Sequence, residues 1–333
     1  MKKSLLALAV LGAFAGAASA QSNVTLYGRV DLSIARNIGT DHWVMQNGSG
    51  SRLGVRGAED LGGGLKAIFN VEHRFEADSG TLTNAAKFWH GRSIVGLAGD
   101  SWGQIHLGRE YSPAFLYVSL LADPWGYDTV AAHLNLSGAG NLPTRKDNTI
   151  NYSSPDISGF RAHFQWSMDE VAGNDANGDW GLALTYSAGP LWVGFGYDRT
   201  SERETLLADP PTRPDAIPGN EKGDWAVLAA AYDFGAFKLI GAFAQGDRPA
   251  DGNKIRDYHI AATAPIGGGE LRAAFNKLEN KDASGDAEDL STRFALGYHY
   301  PLSKRTTVYV DFARDGEVDD NKWGADFGIK HNF

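Results

Sequence analysis

The feature that most constrains the fold is an alternation of apolar and polar residues that recurs along most of the chain. At the end of the chain, Phe327, Ile329 and Phe333 fall on one face of an extended segment, whereas Asp326 and Lys330 fall on the other. A repeat of two residues is the side-chain period of a β-strand. The same alternation recurs in residues 24–34, 160–167, 180–186, 191–197, 237–243, 258–266, 294–300 and 308–312. The chain is therefore predicted to be all-β.

The connections between these segments alternate in length. Short connections lie at 61–64, 101–103, 155–159, 189–190, 235–236, 267–269 and 302–305, and the others are long and acidic. Counting between them gives sixteen strands, which start near residues 23, 52, 65, 89, 103, 146, 159, 179, 191, 223, 236, 257, 269, 290, 306 and 323. An even number of strands closes an antiparallel barrel, and short turns at one end with long loops at the other are typical of outer-membrane barrels. The pattern predicts a transmembrane antiparallel β-barrel of 16 strands, whose interior is an aqueous channel.

The beginning of the chain is typical of a secretory signal. Lys2 and Lys3 precede an apolar run at 5–18, and the segment closes on the small residues of 18–20. Such a segment is removed on export, and its apolar run is shorter than the roughly 20 residues that a membrane-spanning helix needs. We expect residues 1–20 to be a signal peptide and residues 21–333 to form the barrel.

Charge and composition narrow the classes of function. The formal charge is −9, and removal of residues 1–20 takes away two lysines and no acid, which lowers it to −11. An acidic chain is a poor binder of nucleic acid. The absence of cysteine excludes disulfides, zinc–thiolate sites and thiol catalysis. The glycines at 62–64 lack the Lys-Ser/Thr of a phosphate-binding loop and are predicted to form a turn. We expect no cofactor, no metal site and no enzyme activity.

Several segments resemble the trimeric general porins of β-proteobacteria and Neisseria. They lie at residues 24–31 (VTLYGRVD), 51–69 (SRLGVRGAEDLGGGLKAIF), 91–97 (GRSIVGL), 107–113 (LGREYSP) and 328–333 (GIKHNF). The second is the most specific, and the similarity extends over residues 24–333. This resemblance implies a sixteen-stranded barrel, a homotrimer, and a third loop that is folded into the pore and narrows it. Small outward-facing residues, Gly28 and Gly57, would also suit close packing between subunits.

The third loop corresponds to residues 113–145. It carries Asp123 and Asp128 among apolar residues such as Phe115, Leu120 and Trp125, which is unusual for a loop in water. A loop packed inside a lumen accounts for this composition. The alternatives are an ordinary surface loop or a short helix on the rim.

The resemblance also implies a basic cluster in the constriction, opposite acids of the loop. The matching arginines are Arg52, Arg145 and, in the sequence His90-Gly91-Arg92, Arg92. The polar phase of the strands adds Arg29 and Arg74. The acids expected opposite them are Glu110, Asp123 and Asp128. Rings of basic residues favour anions in pores, but arginines that are each paired with a neighbouring acid would only brace the wall.

These observations predict an outer-membrane channel for passive diffusion of small hydrophilic solutes and ions, with a preference for anions. Its expected partners are identical subunits, outer-membrane lipid and lipopolysaccharide. A substrate-specific channel is the closest alternative. More distant alternatives are an outer-membrane barrel enzyme and a secreted, soluble β-sandwich, which would remain in the aqueous fraction of the cell.

Overall fold

The computed structural model describes residues 23–133, 144–168, 178–200, 223–248, 253–282 and 284–333, and most of them are β-strand. The predicted signal peptide and residues 134–143 of the third loop lie outside these ranges. The strands are β1 (Asn23–Arg36), β2 (Val44–Asn47), β3 (Ser51–Gly62), β4 (Leu65–Phe75), β5 (Arg92–Gly99), β6 (Gly103–Tyr111), β7 (Arg145–Ser153), β8 (Phe160–Ser167), β9 (Asp179–Ala188), β10 (Leu191–Thr200), β11 (Gly223–Asp233), β12 (Lys238–Arg248), β13 (Asn253–Ile266), β14 (Gly269–Lys281), β15 (Ala287–Pro301), β16 (Thr306–Asp315) and β17 (Trp323–Asn332).

These strands form one closed antiparallel sheet. Apart from β2 and β3, which both pair with β1, each strand pairs with its neighbour along the chain, and β17 pairs with β1 to close the barrel. The wall has sixteen crossings, because β2 and β3 are two parts of one crossing: β1 pairs with β2 along Leu32–Ala35 and with β3 along Asn23–Arg29. The predicted sixteen-stranded antiparallel barrel is therefore confirmed. The separate segment β2, and the interruption at residues 48–50 that creates it, were not predicted.

Short and long connections between strands lie at opposite ends of the barrel. The predicted short connections all lie between paired strands, and glycines at several of them have a positive φ, including Gly189 (φ 54°) and Gly235 (φ 82°). Glycine adopts this conformation without steric cost. Longer connections join β4 to β5, β6 to β7 and β10 to β11 at the other end. Predicted and observed strand starts differ most for β13, which begins at Asn253 rather than near 257, and for β5 and β15, which begin at Arg92 and Ala287.

The two faces of the wall have opposite chemistry. Large apolar side chains such as Leu26, Val95 and Ile260 are exposed on the outward face, whereas the polar side chains of Asp31 and Asp257 are fully buried on the inward face. This is the reverse of a soluble protein, and it places apolar side chains against lipid and polar ones toward the lumen. In the residues that the structure describes, no helix has the length and apolar character needed to cross a membrane.

The third loop begins with a π-helical segment, α1 (Phe115–Ser119), and one α-helical turn, α2 (Leu120–Ala122). Both pack against the wall: α1 contacts β9, β10 and β11, and α2 contacts β11 and β12. Val118 and Ala122 are completely buried there. The apolar residues of the loop therefore have partners on the wall.

Barrel closure places the chain terminus against the first strand. The backbone N–H of Gly28 donates to the carbonyl of Phe333 (3.0 Å), and the N–H of Phe333 donates to the carbonyl of Gly28 (3.1 Å). A Cβ atom at Gly28 would lie 2.3 Å from Cζ of Phe333, and one at Gly57 would lie 2.5 Å from Cε1 of Phe69. Both glycines therefore accommodate aromatic rings of the same chain, which explains them without a neighbouring subunit.

We expect Gly28→Ala to destabilise the barrel, because the added methyl group meets the Phe333 ring and the carbonyl of Arg52 at the closing pair of strands. Overpacking of this kind costs about 1–3 kcal/mol. The loss should be visible as a lower midpoint in urea-dependent folding into lipid vesicles. Gly241→Ala is the matched control, since no atom lies within 4 Å of a Cβ placed at Gly241. Equal midpoints for the two variants would contradict the role of the Gly28 and Phe333 contact.

Candidate pore constriction

Three arginines occupy directly opposed positions on three neighbouring strands. Arg29 of β1 is paired with Arg52 of β3, and Arg52 is paired with Arg74 of β4. Like charges directly across a sheet destabilise it. A row of this kind is not expected in a wall whose only role is structural, and it marks the region as a candidate functional site.

Carboxylates pair with some of the arginines. Arg29 lies 3.3 Å from Asp128 of the third loop, Arg74 lies 2.7 Å from Glu72, and Arg92 lies 2.8 Å from Glu110. Arg92 is the first residue of β5, and its strand register places it beside Glu72 on β4. Glu110 follows an irregularity in the pairing of β6 with β7 at Gly108 and also lies 3.4 Å from Nε2 of His106.

Arg52 and Arg145 have no ion-pair partner among the residues that the structure describes. Nε of Arg52 donates to the backbone carbonyl of Gly50 (2.9 Å). Arg145 donates to the hydroxyl of Tyr111 and lies over its ring, with Cζ 4.1 Å from the ring centroid. The structure thus brings Arg29, Arg52, Arg74, Arg92, Arg145, Glu110 and Asp128 into one region, together with Glu72 and Tyr111.

The interruption of the second wall crossing supplies acceptors to this region. Backbone carbonyls at residues 48–50 are free of strand pairing, and the carbonyl of Gly50 accepts from both Arg52 and Arg74. The carbonyl of Gly48 accepts from the backbone N–H of Thr129 in the third loop (2.7 Å). A side chain at residue 50 would lie 2.7 Å from NH1 of Arg74, so a glycine there permits the close approach of the guanidinium group.

The two loop acids have different surroundings. Burial raises the pKa of Asp128 to about 6, while the nearby Arg29 acts in the opposite direction. The carboxylate of Asp123 accepts from the backbone N–H groups of Trp125 (3.1 Å), Tyr127 (2.8 Å) and His133 (3.2 Å). Burial raises its pKa to about 6 against these hydrogen bonds. Within the described ranges no ion pair joins Asp123 to an arginine, so this acid stabilises the turn of the loop.

Carboxylates on the polar faces of other strands bind the same loop. Nε1 of Trp125 donates to Asp311 of β16 (2.7 Å), and the N–H of Val130 donates to Asp326 of β17 (3.3 Å). Nε2 of His133 lies 3.1 Å from Asp257 of β13. Asp128 of the same segment contacts Arg29 of β1. The loop segment 125–133 is therefore attached to strands on both sides of the β1–β17 pair that closes the barrel.

Two residues of this region were not predicted as site residues. Glu72 is an acid on the polar face of its strand, and Tyr111 lies in the segment at 107–113 that carries the family resemblance, but neither feature marks a site residue. A tyrosine at the end of a strand has no distinctive pattern. The nearest available signal was its position beside Glu110 and before Ser112 and Pro113, where the strand must end.

One sequence motif of hydrolases occurs in the chain, but not in the geometry that catalysis needs. Residues 99–103 have the Gly-x-Ser-x-Gly spacing of a serine nucleophile, but they form the turn between β5 and β6 and lead into a strand. The nucleophile elbow needs a turn from strand to helix. Within the described ranges no group of three or more His, Cys, Asp or Glu side chains is arranged to hold a metal ion.

A closed barrel with an apolar exterior, a polar interior and charged residues on its inner wall defines a membrane-spanning channel. Residues 7–321 match the family of Gram-negative porins, and the chain belongs to that family. It is thus an outer-membrane porin, a β-barrel channel for passive diffusion, which confirms the predicted resemblance and localisation.

Relatives and a solved structure extend over nearly the whole chain. The chain is 36% identical to outer membrane porin protein 32 of Delftia acidovorans, over 94% of this chain and 89% of that protein. It is 31% identical to an outer membrane porin protein of Bordetella pertussis over the full length of both. The solved structure of an anion-selective porin from Comamonas acidovorans superposes with a TM-score of 0.76 at 28% identity, covering 94% of this chain and all of that one.

Proposed function

We propose that this porin prefers anions and that the arginine cluster sets the preference. The observation that carries the proposal is the composition of the cluster. Five guanidinium groups, those of Arg29, Arg52, Arg74, Arg92 and Arg145, face the three carboxylates paired with them, which leaves a formal excess of two positive charges. The anion-selective porin of Comamonas acidovorans, similar over nearly the whole chain, supports the same conclusion.

The exposed fractions of the paired side chains also favour anions. The side chain of Arg92 is 26% exposed and its partner Glu110 is 6% exposed, and Arg29 is likewise more exposed than Asp128, at 25% against 17%. At these two pairs a passing solute meets the guanidinium group more than the carboxylate, whereas Arg74 and Glu72 are both buried. The carboxylates of Asp257, Asp311 and Asp326 are fully buried, and each of the three contacts the loop.

Distance decides which charges a passing ion senses. Two unit charges about 4 Å apart interact by roughly 4 kcal/mol at an effective dielectric constant near 20. Exposed charges are screened beyond about 8 Å at physiological salt. The exposed acids in and beside the long loops, such as Asp286 and Glu288, therefore contribute less to selectivity than the arginines of the cluster, despite the net negative charge of the chain.

We expect the double variant Arg52→Ser/Arg145→Ser to shift the reversal potential in a tenfold KCl gradient toward that of a cation-preferring channel. These two arginines are chosen because, in the part of the chain that the structure describes, neither forms an ion pair with a carboxylate. The measurement uses protein reconstituted in planar bilayers, and the unaltered channel should be anion-preferring.

Two controls separate this effect from net charge. Lys304→Ser/Arg305→Ser removes the same charge from an exposed turn, and Asp286→Asn/Glu288→Gln removes acids near a loop; both should leave the reversal potential nearly unchanged. A cation-preferring unaltered channel, or an equal shift in the turn control, would overturn the proposal.

We also propose that the third loop narrows the channel. Support comes from its attachment to the polar faces of β1, β13, β16 and β17 through Asp128, Val130 and other residues of segment 125–133. The burial of Val118 and Ala122 against strands β9 to β12 supports it further. A surface loop would not need hydrogen-bonding partners on inward-facing side chains from strands this far apart in sequence.

Because the chain contains no cysteine, a single introduced thiol can test this proposal. Leu121 is a 49% exposed residue of α2. We expect Leu121→Cys, treated with a charged methanethiosulfonate reagent, to show a stepwise fall in single-channel conductance. Leu184→Cys, on the outward face with 46% exposure, is the matched control and should show no fall. If modification of Leu121→Cys, verified by mass, leaves the conductance unaltered, the loop does not line the channel.

We propose that the porin is a homotrimer in outer-membrane lipid and lipopolysaccharide, on the strength of its family. The outward glycines no longer argue for this, since Phe333 and Phe69 account for them. Light scattering in mild detergent, corrected for bound detergent, should give a mass of three chains. A monomer at every detergent concentration tested would contradict the trimer.

We propose that the protein is a channel without catalytic activity, since its relatives are porins. Hydrolysis of labelled phospholipid by the reconstituted protein would instead support a barrel enzyme. Saturable transport of one solute class would support the substrate-specific alternative.

A further inference from the structure

Tyr111 occupies the centre of the arginine cluster. Its hydroxyl accepts a hydrogen bond from NH2 of Arg74 (2.7 Å) and another from Arg145. Its ring carries Arg145 at 4.1 Å and Arg92 at 5.8 Å from the ring centroid. Three of the five arginines therefore contact one neutral side chain, and the two acceptor lone pairs of its hydroxyl are both used.

The arginines depend on Tyr111 to different degrees. Arg74 is also held by Glu72 (2.7 Å) and by the carbonyl of Gly50 (3.3 Å). Arg145 has Tyr111 as its hydrogen-bond acceptor, and its Nε has no partner among the described residues. Removal of the hydroxyl would therefore release Arg145 while Arg74 keeps two other contacts.

The third loop holds the tyrosine ring in place. The ring stacks on Phe115 of α1, with centroids 5.5 Å apart and planes at 18°. Phe115 in turn makes an edge contact with Tyr127, with centroids 5.1 Å apart. Backbone pairing of Tyr111 with Arg145 at the start of β7 fixes the other side. The position of the hydroxyl is thus determined by the wall and the loop together.

We infer that Tyr111 is a positioning residue for selectivity: it holds Arg145, and secondarily Arg74, in the channel without neutralising their charge. A carboxylate at this point would orient a guanidinium group equally well but would cancel its charge. A phenol hydroxyl accepts charge-assisted hydrogen bonds and remains neutral. The inference rests on the proposed anion preference, because it assigns part of that preference to the placement of Arg145.

The test compares Tyr111→Phe, Arg145→Gln and the double variant with the unaltered porin in a KCl gradient. Tyr111→Phe changes no charge and retains the ring that stacks on Phe115. We expect it to lower the chloride-to-potassium permeability ratio by roughly twofold or more, because an unrestrained Arg145 turns away from its like-charged neighbours. If Tyr111 acts mainly through Arg145, the double variant should match Arg145→Gln within error.

Tyr117→Phe is the matched control, since among the described residues the hydroxyl of Tyr117 hydrogen-bonds to Ser153 (3.4 Å) and to none of the arginines. It should keep the permeability ratio of the unaltered porin. Heat-modifiable migration in gels shows whether each variant forms a folded barrel, and a non-folding Tyr111→Phe is replaced by Tyr111→Met, which also lacks the acceptor hydroxyl.

The possible results separate the two proposals. An anion-preferring channel whose ratio falls in Arg145→Gln but is unchanged or higher in Tyr111→Phe would overturn the role of Tyr111 and leave the proposed function intact. Additive losses in the double variant would also overturn it. An unaltered channel that prefers cations would instead overturn the proposed function itself.

Discussion

The rest of the structure depends on hydrogen bonding between the first and last strands. Within a lipid bilayer no water is available to satisfy a free strand edge, so a sheet that spans it must close. Here closure is made by β1 and β17, in register from Arg29 with Asn332 to Arg36 with Ala325. The reciprocal bonds between Gly28 and Phe333 complete it at the terminus. A glycine at position 28 is part of this closure, because the terminal ring occupies the space that a side chain would take.

Closure also separates the lipid from the lumen. The charged side chains of the lumen have two roles. Carboxylates of β13, β16 and β17 bind the third loop through His133, Trp125 and Val130. Guanidinium groups gather on β1, β3, β4, β5 and β7, and the carbonyl of Gly50, at the interruption between β2 and β3, accepts from Arg52 and Arg74. Acids buried under a loop are removed from the path of a solute, whereas Arg29 and Arg92 stay partly exposed. A chain with net negative charge can in this way present a positive constriction.

The alternation of side chains was sufficient to predict the barrel, its strand number and most strand starts, because each strand has one face in lipid and one in the lumen. The arginines were predictable for the same reason, since strand phase and the resemblance both point to Arg52 and Arg29. Which acid pairs with which arginine was not predictable. Glu110 lies beside Arg92 and Asp128 lies beside Arg29. Asp123, also expected opposite the arginines, instead binds backbone N–H groups of its own loop. Such contacts depend on how the loop meets strands far away in sequence, which a two-residue period does not encode.

The same limit explains why a neutral residue was overlooked. A search for a selectivity site in sequence looks for charge, and Tyr111 carries none. Yet guanidinium groups crowded on adjacent strands repel one another, and each has donors that must be satisfied if it is to stay in one place. Carboxylates accept from Arg29, Arg74 and Arg92 at the cost of charge, whereas the carbonyl of Gly50 accepts from Arg52 and the hydroxyl of Tyr111 accepts from Arg145, and these neutral acceptors preserve the charge. The strength of a charged constriction therefore depends on its neutral acceptors as well as on the number of its arginines.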